Sequence, residues 1–107
     1  MTALNDPHYK QRADLLKAMA HPSRLRMLAA LEDGPLCVCD LQKIVGSDMS
    51  TVSKHLSVMR AAGLVSDQKR GLQVFYELRV PCIMRFFACM ESVLNPNESD
   101  GEAVCTT

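Results

Sequence analysis

A chain of 107 residues with 48% hydrophobic and 22% charged side chains is enough for one small folded domain and is not disordered throughout. Twelve Lys and Arg balance twelve Asp and Glu, so a nucleic-acid partner would have to be met by a local positive field rather than by net charge. Met1 to Lys17 lacks the apolar run of a secretory signal and no stretch reaches the length of a membrane span, so a cytoplasmic protein with no membrane partner and mostly reduced cysteines is expected.

The first seven residues carry no periodic signal. Pro7 suits a helix start, and the spacing predicts a first helix to about Met19 with Leu15, Leu16 and Met19 buried. His21-Pro22 breaks it, and Pro22 opens a second helix with Leu25, Leu28 and Leu31 at i, i+3 and i+6. Asp33-Gly34-Pro35 is a turn signal. A short third helix is expected from Val38 to Val45, with Leu41, Ile44 and Val45 inward.

Gly46-Ser47 then makes a tight connection to the stretch from Ser47 to Gly63. This reads as a helix with Ser47 or Asp48 as its N-cap and an apolar seam at Val52, Leu56 and Met59. Its other face carries Ser50, Thr51, Ser53, Lys54, Ser57 and Arg60. Hydroxyls and cations suit phosphate oxygens and base edges in a DNA major groove. Two short helices joined by a few residues including Gly form the helix-turn-helix pattern, in which the second helix is the reader.

Past Gly63 the period falls to two: Val74, Tyr76 and Leu78 alternate with Phe75, Glu77 and Arg79. Leu64-Val65 supplies the partner strand, and DQKRGLQ between them forms a turn with a basic tip, the expected wing. From Ser47 to Gln73, four cations (Lys54, Arg60, Lys69, Arg70) face two acids (Asp48, Asp67), whereas Glu91 to the end holds four acids and no Lys or Arg. The positive field is therefore local. Pro81 opens a last helix to about Leu94. There Cys82, Ile83, Phe86, Phe87, Cys89, Met90, Val93 and Leu94 fill an arc of about 160°. An arc so wide predicts one edge on the chain's own core and another on a second subunit. The expected fold is mainly α with a small β-hairpin, a homodimeric winged helix-turn-helix of order α-α-α-α-β-β-α. Residues 1–94 form the domain and 95–107 an acidic, disordered tail.

The strings AMAHPSRLRMLAAL, LCVCDL, STVSKHLSVMRAAGLV and GLQVFYEL, in that order, make residues 12–94 resemble the ArsR/SmtB family of metal-sensing winged-helix repressors. The resemblance implies a homodimer joined through its first and last helices. It further implies a repressor that sits on operator DNA when metal-free and leaves when a metal or metalloid binds. Ser50, Thr51, Ser53, Lys54 and His55 are the expected contacts of the reading helix, and Lys69, Arg70 and Gln73 those of the wing on the backbone or minor groove. Hydroxyls discriminate bases weakly, so a palindromic pair of half-sites and shape readout are expected to share the specificity.

Cys37-Val38-Cys39-Asp40 lies at the expected start of the third helix, where thiols lean toward the thiolate that binds soft ions. Residues two apart on a regular helix point in nearly opposite directions, so one ion could take both sulfurs only by unwinding the turn around Cys37. In the arsenic-sensing branch of the family a third Cys often follows three residues after the second, and here that place is Gln42. A three-sulfur metalloid would then need Cys105, Cys82, Cys89 or an exogenous thiol. The resemblance makes arsenite or antimonite the expected inducer, with no catalytic cofactor. Cd(II), Pb(II) or Zn(II), or a cysteine redox or persulfide signal, are the alternatives within the same fold. The cadmium/lead branch adds Cys from an N-terminal extension and the zinc branch uses Asp and His pairs on the last helix; neither is present in this sequence. His21 and His55 lie in family motifs where they are structural or DNA-facing rather than metal ligands. An enzyme is disfavoured: there is no CxxC motif, no Gly-rich phosphate loop and no recognisable acid–base pair. A winged helix that binds only protein is disfavoured by the hydroxyl-rich, basic face.

Overall fold

A computed structural model describes residues 7–96. Helix α1 spans Pro7–Met19 and α2 spans Pro22–Ala30, with a 3-10 turn at Leu31–Asp33. Strand β1 (Leu36–Cys37) leads into α3 (Val38–Val45), followed by α4 (Met49–Ala61), β2 (Val65–Arg70), β3 (Gln73–Leu78) and α5 (Ile83–Leu94). Apart from β1, this is the expected order.

The helix boundaries follow local chemistry. His21 caps α2: its Nδ1 accepts from the Ser23 amide at 3.0 Å, and Pro22 stands where a missing N–H costs nothing. Asp48, not Ser47, caps α4, accepting from the Thr51 amide at 2.9 Å. Gly46 closes α3 at φ 76°, the left-handed conformation that turns the chain into α4. The wing is longer and its loop tighter than expected: β2 and β3 pair from Val65↔Leu78 to Arg70↔Gln73, and Gly71-Leu72 alone makes the turn. Gly71 at φ 62° supplies the positive φ that a two-residue hairpin takes at its first position. Lys69, Arg70 and Gln73, expected in the loop, are therefore held on strands.

The core collects the predicted stripes. Leu28 and Leu31 of the α2 segment, Leu41 of α3, and Val52, Leu56 and Met59 of α4 are all at most 2% exposed, joined by Met27, Leu64 and Val65. Each fully buried Leu or Met of this kind contributes roughly 1.5–3 kcal/mol from transfer alone. Leu15 and Leu16 depart from expectation: they are exposed, and of the α1 residues only Ala18 and Met19 are buried. The reason lies in α5, which buries no residue fully. Its Ile83, Met84 and Phe87 lie against the core while Phe86, Val93 and Leu94 stay exposed. Leu15, Leu16 and Phe86 line an apolar groove of about 420 Å³ between α1, the end of α4 and α5. The acidic tail from residue 97 lies outside the described residues.

Candidate functional site

Helix α4 presents the hydroxyl-rich face its sequence promised. Ser50, Thr51, Ser53, Lys54 and Ser57 are all exposed, opposite the buried seam. Arg60 leaves that face: its Nη1 donates to Asp67 of β2 at 2.9 Å, tying the end of α4 to the base of the wing. The Thr51 hydrogen bonds hold the Asp48 carboxyl below its ordinary range, so the cap stays ionised.

His55 departs most from the expected contact list. It is 8% exposed, the one buried polar residue among the described residues, and its Nδ1 accepts from Arg24 Nε at 3.0 Å. Its ring lies 4.4 Å from that of His21, centroid to centroid. Burial first, then the His21 and Arg24 charges, push its pKa below the usual 6.5. His55 is thus a neutral acceptor in the floor of a groove of about 520 Å³, with Thr51, Ser53, Lys54 and Arg24 around it. The seam carried the signal: positions 52, 55, 56 and 59 make the full i, i+3, i+4, i+7 stripe.

On the wing, Lys69, Arg70 and Gln73 are exposed toward the hairpin tip. The Arg70 guanidinium stacks 4.9 Å from the Phe75 ring centroid, which holds it against β3. Leu72 projects fully exposed from the turn.

Cys37 is not in a helical turn, as its sequence position suggested. It is the second residue of β1, antiparallel to β3 with Cys37 opposite Phe75, and at φ −80°, ψ 162° it is also the N-cap of α3. The chain is already extended at Cys37, and helical only from Val38 onward. A third strand thus joins the hairpin in the order β1-β3-β2. Cys37 is 7% exposed and Cys39, one position into α3, is exposed; both are free thiols. Cys82 is an exposed thiol bordering the α1–α5 groove, and Cys89 on α5 is disulfide-bonded and so offers no thiol. Cys105 lies outside the described residues. Among the described residues, no three His, Cys, Asp or Glu are grouped to hold a metal ion. The donor set at β1–α3 is therefore two sulfurs, one short of what As(III) prefers.

Comparison with known proteins agrees with this geometry. The model of the bacterial regulatory protein arsR family matches residues 21–67, from the cap of α2 through α4 into β2. Rv0081 of Mycobacterium tuberculosis, an uncharacterized HTH-type transcriptional regulator, is 35% identical over 101 residues, covering 94% of this chain and 89% of its own. Its crystal structure has a TM-score of 0.77 to this fold at 34% identity, over 90% of this chain and 97% of that one. The homodimeric winged helix-turn-helix DNA-binding domain of Mb0332 from Mycobacterium bovis gives a TM-score of 0.74 at 25% identity, over 90% and 89% of the two chains. The transcriptional repressor BigR from Xylella fastidiosa gives 0.72 at 28%, over 87% and 96%. With its reading helix, wing and nearly full-length relatives in agreement, the chain belongs to the arsR family of bacterial DNA-binding transcriptional regulators and is not an enzyme.

Proposed function

We propose that this protein is a homodimeric repressor that holds operator DNA with α4 and the β2–β3 wing and releases it when a thiophilic ion, arsenite or antimonite first, binds Cys37 and Cys39. The operator is a palindrome read by two copies of α4. In this reading Ser50, Thr51, Ser53 and Lys54 meet the major groove, and Lys69, Arg70 and Gln73 meet the backbone or minor groove. The second copy covers the apolar α1–α5 groove, where Leu15, Leu16 and Phe86 stand exposed on a single protomer.

One observation carries the release mechanism: Cys37 belongs to two structures at once. It caps α3, the helix that supports α4, and it pairs with β3, the strand that supports the wing. Cys37 is buried while Cys39 is exposed. Joining both sulfurs to one ion draws Cys37 out of its strand position, which disturbs the reader and the wing together. The third sulfur of a trigonal metalloid site comes from a small exogenous thiol.

Thiol oxidation is the second reading, favoured by the exposure of Cys39. The two readings separate in one experiment. Release of a labelled promoter duplex is titrated with As(III), Sb(III), Cd(II), Pb(II) and Zn(II), and with a persulfide donor, on wild type, Cys37→Ser and Cys39→Ser. Metalloid release that both variants lose supports the proposal. Normal metalloid release by both variants rejects it, and release by the persulfide donor alone selects oxidation.

A further inference from the structure

Arg24 is on no part of the helix-turn-helix or the wing, yet its guanidinium borders the groove over α4. It sits in the first turn of α2 and is half-buried. Its Nε donates to His55 Nδ1 at 3.0 Å, and its Nη1 donates to the carbonyls of Lys17 and Ala18 at 3.4 and 3.2 Å. These bonds fix the fork against the end of α1 and the buried side of α4. None uses Nη2, so two N–H groups remain available.

The charge around Arg24 is unbalanced. Among the described residues the ion pairs are Lys10–Asp14 and Arg60–Asp67, neither involving Arg24. The groove it borders holds Lys54 as a second cation and hydroxyls from Thr51, Ser53 and Ser57, with no carboxylate among its described lining. A half-buried cation held rigid by neutral acceptors, at the rim of a hydroxyl-lined groove, is a geometry that receives a phosphate. A prepositioned fork also loses less side-chain freedom on binding than a free Arg or Lys.

We infer that Arg24 contacts a backbone phosphate of the bound duplex, beside the base pairs that α4 reads, and that His55 acts as a positioning residue that aims it. The inference rests on the DNA-binding assignment of the family and adds a contact from a helix outside the reading motif. It also accounts for a His in the apolar seam of α4: a neutral imidazole there supplies the acceptor that orients Arg24 without adding charge.

The test is the salt dependence of binding, measured by fluorescence anisotropy on the full chain. The probes are a labelled duplex from the promoter of its own gene and a random-sequence duplex, from about 50 to about 200 mM salt. Arg24→Gln keeps a donor for His55 but removes the charge. It is expected to bind both duplexes about tenfold more weakly at low salt and to lose about 0.9 from the slope of log K against log salt, one phosphate contact. Arg24→Lys is expected to keep the slope. His55→Ala is expected to weaken binding while keeping most of the slope, because the charge stays but its aim is lost. On the wild type, duplex is expected to protect Arg24 from phenylglyoxal, a readout that needs no variant to fold. A wild-type slope in folded Arg24→Gln, or equal modification of Arg24 with and without duplex, overturns the inference. Failure of the wild type to bind either duplex would instead overturn the DNA-binding reading beneath it.

Discussion

Cys37 and Phe75 face each other across the β1–β3 ladder. On the other edge of β3, Arg70 of β2 stacks on the Phe75 ring. The sulfur proposed to sense the ion is therefore one ladder step and one ring from a cation proposed to hold DNA. Phe75→Ala removes the platform under Arg70. A partly exposed cation–π contact is worth roughly 0.5–1 kcal/mol, so duplex affinity is expected to fall about two- to fivefold, with the effect lost in an Arg70→Ala background. Anisotropy on the four proteins of that double-mutant cycle checks it, and additive losses would show that the stack does not position Arg70.

The α4 cap makes a prediction of two signs. Asp48 secures the first turn of the reading helix but places a carboxylate beside the expected phosphates. Asp48→Ala removes the cap and is expected to cost about 1 kcal/mol, a fall in Tm of roughly 4–8 °C at fixed protein concentration. Asp48→Asn keeps an accepting oxygen and should melt close to wild type. With the like charge gone, it should bind duplex more tightly at low salt. Equal affinity of Asp48→Asn and wild type would place the cap away from the phosphates.

Much of this was legible in sequence because the signals are local. The α4 seam, the Asp48 cap and the alternation of Val74, Tyr76 and Leu78 each depend on neighbours within a few residues, and each reappears in the fold. β1 was not legible: two residues carry no periodicity, and pairing with β3 is settled some forty residues downstream. Leu15 and Leu16 read as core because apolar spacing does not distinguish a buried stripe from an apolar stripe left exposed on the protomer. Arg24 carries no local signal in the sequence. Only the fold brings it to His55, which lies 31 residues further along the chain.

The exposed apolar residues of α1 and α5 make the oligomeric state a direct test. Phe86 is 41% exposed on one protomer, on the edge of α5 away from the core residues Ile83 and Phe87. Phe86→Glu places a charge where the second copy is proposed to pack, a burial that an unpaired carboxylate opposes. Sedimentation is expected to shift from dimer to monomer, and operator affinity to fall on the order of a hundredfold as the link between half-sites is lost. Helix content by circular dichroism should change little, since this edge lies outside the protomer core. A dimer that survives Phe86→Glu and Leu16→Glu alike would move the interface elsewhere.

The His21–His55–Arg24 cluster sets the sign of the pH response. His55 is held below its ordinary 6.5 by burial and by the His21 and Arg24 charges, so an unfolded chain takes up the proton first as pH falls. The stability carried by neutral His55 is full above the unfolded value, falls away below about pH 6.5, and is lost as pH passes the depressed folded value. Protonation also removes the acceptor for Arg24 Nε. Tm is therefore expected to drop as pH goes from about 7.5 to about 5.5, with duplex affinity dropping alongside it. His55→Gln keeps an accepting oxygen at every pH and should flatten both profiles in that window, while Asp48 contributes only in stronger acid because its carboxyl is held below its usual range. Melting and anisotropy profiles of the two proteins, taken in one buffer series, decide it: parallel curves would mean that His55 does not set the response.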